Sequence, residues 1–111
     1  KGVRVSKFYV MGNYTPKAFQ GFIKNPSQDR AAAASELSKT IGATLASFDI
    51  VRGQYDFIAT VDAPNFESTA ALKMVVVASG NIENLTILEA VDMKNIATLA
   101  STAMAGYTPP S

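Results

Sequence analysis

Ser47-Phe48-Asp49-Ile50-Val51-Arg52-Gly53-Gln54-Tyr55-Asp56-Phe57-Ile58-Ala59-Thr60-Val61-Asp62-Ala63-Pro64 is the stretch around which the rest of the chain is organised. It reads as two strands folded back around Arg52-Gly53-Gln54. Gly53 supplies the positive φ that a tight hairpin needs, and Ala63-Pro64 closes the second strand. Leu45, Ser47, Asp49 and Val51 alternate with Ala46, Phe48, Ile50 and Arg52. After the turn, Tyr55, Phe57, Ala59 and Val61 alternate with Asp56, Ile58, Thr60 and Asp62. Neither set is cleanly polar, so both faces are expected to be covered at least in part.

On the N-terminal side, Arg4 to Met11 alternates weakly and is rich in Val, Phe and Tyr, which predicts a strand ended by Gly12-Asn13. Val3, Val5, Lys7, Tyr9 and Met11 share one face of it. Thr15 and Pro16 open a short segment through Ile23, with Thr15 as cap. A helix is then predicted from Asn25 (N-cap) and Pro26 (first turn) to about Ile41, with Gly42 as its left-handed C-cap. Its stripe is Arg30 (by its stem), Ala33, Ala34, Leu37 and Ile41.

Beyond the hairpin, Asn65 caps a helix over Phe66 to about Ser79, ended by Gly80. Its expected inner stripe is Phe66, Ala70, Met74 and Ala78, with Val77 beside it. Asn81 to Val91 is the fourth strand. Asp92 caps a last helix from Met93 to about Met104, followed by an extended tail containing Pro109-Pro110. The order is βαββαβ plus a C-terminal helix, the ferredoxin-like α+β arrangement. Residues 1–92 form the domain, and 93–111 the C-terminal helix and tail.

Right-handed crossovers place both helices on one face of a four-stranded antiparallel sheet and leave the other face bare. A second copy laid sheet to sheet on several hundred Å2 of apolar surface would gain on the order of 10 kcal/mol before association costs. That is the physical case for a dimeric α+β barrel. Composition points the same way. The chain of 111 residues is 48% hydrophobic and 17% charged, against a usual charged share of ~25%. A short chain with so little charge gains from covering part of its surface with another copy.

The same numbers exclude whole classes of chemistry. With no Cys there is no disulfide, thiol nucleophile or cysteine-held metal. With no His there is no Ser-His-Asp triad and no imidazole base or ligand. The nine acids are scattered without the spacing of a calcium loop. A net charge of +1 with no basic run argues against nucleic acid or an anionic membrane as partner. No stretch approaches ~18 continuous apolar residues, so membrane insertion is not expected. No cofactor and no metal are expected.

Tyr14-Thr15-Pro16, Asp29-Arg30-Ala31-Ala32-Ala33, Gly53-Gln54-Tyr55-Asp56, Asp62-Ala63-Pro64 and Val77-Ala78-Ser79-Gly80-Asn81 occur in an order and spacing that resemble the GYD domain family. These are small bacterial and archaeal proteins named for a Gly-x-Tyr-Asp signature, here Gly53, Tyr55 and Asp56. The resemblance covers roughly Val5 to Asp92. It implies a ferredoxin-like fold related to dimeric α+β barrels, self-association and a cytoplasmic location, but no settled activity. The chain starts at Lys1 rather than Met, so export with a processed N-terminus stays as the alternative.

Two readings of Tyr55 and Asp56 stand side by side. In one, Asp56 accepts hydrogen bonds from backbone N–H groups at the hairpin while Tyr55 packs at its base. In the other, they line a cleft, with Asp56 as base or ligand anchor. Lys7 and Tyr9, on one strand face, would complete such a pocket with an anion or carbonyl compound, or would find intersubunit partners. No residue is singled out as catalytic. The functional expectation is a homo-oligomeric domain, self-associating through its open sheet face, that binds a small molecule in a pocket between sheet and helices or between sheets, or is otherwise non-catalytic. The alternatives are a cofactor-independent monooxygenase or isomerase, by fold analogy, and a structural subunit of a larger assembly. Under any of these, the Met residues at 11, 74, 93 and 104 are expected in core or interface.

Overall fold

A computed structural model describes residues 5–111. The expected strand start at Arg4, with Val3 on its face, lies outside the described residues. The elements run β1 (Ser6–Tyr14), α1 (Pro16–Lys24), α2 (Arg30–Lys39), β2 (Thr44–Ile50), β3 (Phe57–Ala63), α3 (Phe66–Ala78), β4 (Ile82–Glu89) and α4 (Met93–Gly106). The strands form one antiparallel sheet in the order β2-β3-β1-β4.

Three caps act where the sequence places them. Thr15 accepts from the Ala18 N–H, Asn65 from Ser68 and Asp92 from Lys94. The fourth does not. Asn25 is the C-cap of α1, and Asp29 is the N-cap of α2, its side chain accepting from the Ala32 N–H. The region between β1 and β2 therefore holds two helices, and the fold has four helices rather than three among the described residues. β1 also runs through Gly12-Asn13 to Tyr14, because a register shift between Met11 and Asn13 absorbs the irregularity without ending the pairing with β4.

The core lies between the sheet and the helices. Phe8, Val61, Ala63 and Ala43 are buried together, with Val10, Ile41, Leu45 and Ile87 packed against them. Register follows from this burial, since antiparallel partners share a face. Phe8 pairs with Val61, Val10 with Ala59, and Gly12 with Phe57. The opposite face carries Lys7 paired with Asp62, Tyr9 with Thr60, and Met11 with Ile58.

The expected closure into a dimeric α+β barrel is corrected here. The sheet is open, with β2 and β4 as its edges. The physical reason is the make-up of the face away from the helices. Thr44, Ser47, Asp49, Asp62, Thr60, Lys7 and Thr86 lie on it among Tyr9, Met11, Ile58 and Leu88, so closing it would bury charged and hydroxyl groups along with the apolar ones. At its centre Met11 is 9% exposed, paired with Thr86, whose hydroxyl bonds that of Tyr55.

Candidate functional site

Tyr55 precedes β3, where the alternation expected from the sequence does not extend. Val51 N–H donates to the Asp56 carbonyl and Asp56 N–H to the Gly12 carbonyl, both at 2.9 Å. The backbone turns there, and Tyr55 does not share a face with Phe57, Ala59 and Val61. Its hydroxyl instead hydrogen-bonds the Thr86 hydroxyl on β4 at 3.0 Å. β1 separates β3 from β4 in the sheet, so the ring crosses β1 on the face that carries Met11.

Asp56 anchors the same end of the sheet. Its Oδ2 accepts from the Tyr14 backbone N–H at 2.9 Å and from Asn13 Nδ2 at 3.3 Å. Asn84 Nδ2 in turn donates to Asn13 Oδ1 at 2.9 Å, and Asn84 holds a left-handed φ of 53°. The loop after α3 is tied in beside them. Thr15 Oγ1 donates to the Gly80 carbonyl, Thr15 N–H to the Asn81 carbonyl and Lys17 Nζ to the Ser79 carbonyl. Three of the five sequence pieces that carry the resemblance thus meet at one end of the sheet through hydrogen bonds.

Of the residues singled out from the sequence, Lys7, Tyr9 and Tyr55 are on the open face and Asp56 is at its end. Lys7 is exposed, Tyr9 half-buried, and Gly53 sits at the loop tip with φ of 142°. None of these lines the cleft that the structure does contain.

That cleft lies between the helix layer and the sheet, with a volume of about 130 Å3. Ala33, Ala34 and Leu37 of α2 form one wall, and Leu72 and Val76 of α3 the other. Leu45, Phe48, Val10 and Phe57 form the floor. The Phe48 and Phe57 rings stack at 5.7 Å with planes 10° apart, and Tyr14 packs on Phe57 at 5.3 Å. The polar groups are few: Ser38, Thr69, Tyr14, Arg30 and Lys73. No acidic side chain lines it among the described residues.

Two of these groups carry chemical information. Thr69 is 1% exposed, and its Oγ1 is buried with no hydrogen-bond partner. Such an orphan hydroxyl costs ~1–3 kcal/mol, a cost a ligand oxygen or nitrogen would remove. Burial raises the pKa of the Tyr14 hydroxyl above its ordinary value, with Asp56 adding to the rise and the Arg30 guanidinium opposing it. Tyr14 is therefore a neutral donor at physiological pH. The cleft holds a hydrogen-bonding rim around an apolar chamber, without a paired acid and base.

The α2 stripe of Arg30, Ala33, Ala34 and Leu37 is where the sequence puts it. The α3 stripe is not: Thr69, Leu72 and Val76 face inward, and Met74 is 74% exposed. Of the four methionines, Met11 alone is buried, on the open sheet face; Met74, Met93 and Met104 are exposed. α3 is apolar around its whole circumference, so spacing does not single out a side.

Among the described residues no helix is long and apolar enough to cross a membrane, and no group of three or more acidic side chains gathers to hold a metal. No curated protein matches the chain. A solved structure, the crystal structure of FFRP-DM1, is similar in fold. It has a TM-score of 0.53 and 11% identity, covering 78% of this chain and 99% of that one. The GYD domain family matches residues 8–100. With most of the chain matched and the signature Gly53, Tyr55 and Asp56 fixed at the end of an open antiparallel sheet, the protein belongs to the GYD domain family.

Proposed function

We propose that this domain is a non-catalytic binder of a small amphipathic anion, held in the cleft between α2, α3 and the sheet. The observation that carries this reading is the combination of an apolar chamber with a buried, unpartnered Thr69 hydroxyl and two cations, Arg30 and Lys73, on its lining. Apolar walls with a few convergent polar groups are what small-molecule sites are built from. A chamber of about 130 Å3 is close in size to cavities that take a single benzene-sized ring. The ligand body is therefore a ring or a chain of about six carbons. A carboxylate or a comparable anion fits the rim, because both charged groups there are positive and none is negative.

The inventory supports binding rather than turnover. The rim offers a neutral Tyr14 donor, a guanidinium and an ammonium, and no base beside a nucleophile. Isothermal titration with a series of straight-chain carboxylates tests the reading. Hexanoate is expected to bind with a Kd on the order of 0.1 mM, acetate and dodecanoate much more weakly, and hexylamine not at all. Equal binding of the amine, or no dependence on chain length, would contradict the proposal.

A further inference from the structure

α4 has no buried residue. Leu99 is 63% exposed, and Met93, Ile96 and Met104 are exposed beside it. At the helical period, Met93, Ile96, Leu99, Ala100, Ala103 and Met104 fall on one arc. Lys94, Asn95, Thr98, Ser101 and Thr102 fall on the other. An amphipathic helix with its apolar side in water is missing the surface it was patterned for.

The dimensions of the chain give the scale of what is missing. Its radius of gyration is 18.2 Å, against about 13 Å for a compact chain of this length. It exposes 7917 Å2, about 2,000 Å2 more than a compact monomer of its mass. Two copies burying that excess together would make an interface of the size of permanent homodimers.

A second uncovered surface has matching character. Ala71, Met74, Val75 and Ala78 lie on the outer side of α3 at i, i+3, i+4, i+7 spacing, and all are exposed. The inner side of α3 is occupied by the cleft wall. A helix apolar on every side is patterned for cover on both.

We propose that the apolar arc of α4 docks on the outer face of α3 in a second copy, and that two chains exchange these helices reciprocally. The sheets stay open in this arrangement. The chain's own α3 is out of reach. Ala90 N–H is still bonded to the Lys7 carbonyl at 2.9 Å, and Asp92 already caps α4. Val91 and Asp92 between them span about 7 Å. Docking on the outside of α3 would require α4 to pass over a helix that itself lies above the sheet, at a further interaxial distance of about 8–10 Å. Two docking events related by a twofold axis close the assembly. A lipid surface is disfavoured, because interfacial helices carry Lys and Arg on the polar side, and here that side holds one Lys among Asn, Thr and Ser. Alanines at 71, 78, 100 and 103 let the two helices approach closely.

The chain has no cysteine, so single thiols report without background. Light scattering of the unaltered chain is expected to give twice the monomer mass. A chain carrying Leu99→Cys and Val75→Cys is expected to form disulfides between copies on mild oxidation. Ile96→Glu with Leu99→Glu, and separately Met74→Glu with Val75→Glu, each weaken association about a hundredfold or more with unchanged circular dichroism. Mixing these two variants recovers part of the association, because one intact α4 then meets one intact α3. A monomer at high concentration, a disulfide within one chain, association indifferent to both variants, or an open-ended polymer would each overturn the proposal.

Discussion

The Tyr55 hydroxyl meets the Thr86 hydroxyl at 3.0 Å across the intervening strand β1. The ring thus crosses the face beside Met11, which is 9% exposed and pairs with both Ile58 and Thr86. Tyr55→Phe keeps the ring and loses the bond, and is expected to cost about 1 kcal/mol. Tyr55→Ala uncovers Met11 and is expected to cost about 3 kcal/mol. Chemical denaturation of the two variants separates the contributions. Equal losses would mean that the ring does not shield the sheet.

Asp56 is a structural clamp by its contacts. Its carboxylate takes the Tyr14 N–H and the Asn13 amide, fixing the end of β1 where the register shifts. Asp56→Ala leaves a part-buried backbone N–H unpaired and is expected to destabilise by about 1–3 kcal/mol. Ligand binding in the cleft is expected to persist in whatever fraction remains folded. Loss of binding by a fully folded variant would instead put Asp56 in contact with the ligand.

Tyr14 ties stability to pH on the alkaline side. Burial raises its pKa in the folded chain above the ordinary value, which is near 10, so the unfolded chain loses this proton first. The contribution is fully present below about pH 10 and is lost as pH rises from there through the folded-state value. Unfolding midpoints are expected to fall over that interval for the unaltered chain. Tyr14→Phe should flatten this part of the profile, and an unchanged slope in that variant would assign the alkaline loss elsewhere.

The orphan hydroxyl of Thr69 makes an unusual demand. Thr69→Val conserves the shape and removes the unpaired group, so it is expected to be neutral or to stabilise the empty protein by about 1 kcal/mol. It should weaken hexanoate if the ligand reaches the hydroxyl, while leaving a pure hydrocarbon such as benzene unaffected. Destabilisation by more than about 1 kcal/mol would show that the hydroxyl has a partner in solution.

Gly12 tests the floor of the cleft. A Cβ there would come within 3.3 Å of the Phe57 ring and 3.4 Å of the Glu83 carbonyl. Gly12→Ala is expected to push Phe57 toward the chamber, costing about 1–2 kcal/mol and weakening binding at the same time. A variant with altered stability and unaltered affinity would uncouple the ring from the site.

Much of the fold was legible in the sequence because its signals are local. Thr15, Asn65 and Asp92 announce helix starts by side-chain chemistry that acts within three residues, and Gly42 and Gly80 take the positive φ that ends the helices before them. The failures are of a different kind. Asn25 and Asp29 both had cap chemistry, and only the path of the chain decides between them. The open face was misjudged because strand alternation around Tyr55 breaks in the loop, and because Asp62, Thr60 and Thr86 come from strands apart in sequence. A small pocket between helices and sheet was one of the expected places for a ligand, but its lining was not legible, for the same reason. Arg30, Phe48 and Thr69 are unremarkable one at a time, and it is the sheet order β2-β3-β1-β4 that sets them around one chamber. Thr69, in the first turns of α3 beside Glu67 and Ser68, does not stand out in the sequence, and it carries weight only once its burial is known.

In the proposed function, the chamber between α2, α3 and the sheet takes a small amphipathic anion. Methyl resonances of Leu37, Leu72, Val76 and Thr69 in an isotope-labelled sample, titrated with hexanoate, test it most directly. Binding in the chamber should give saturable shifts on these methyls, with smaller changes on the methyls of Ile50 and Leu99. Shifts confined to α4 or to the open sheet face, or no saturation at millimolar ligand, would contradict it.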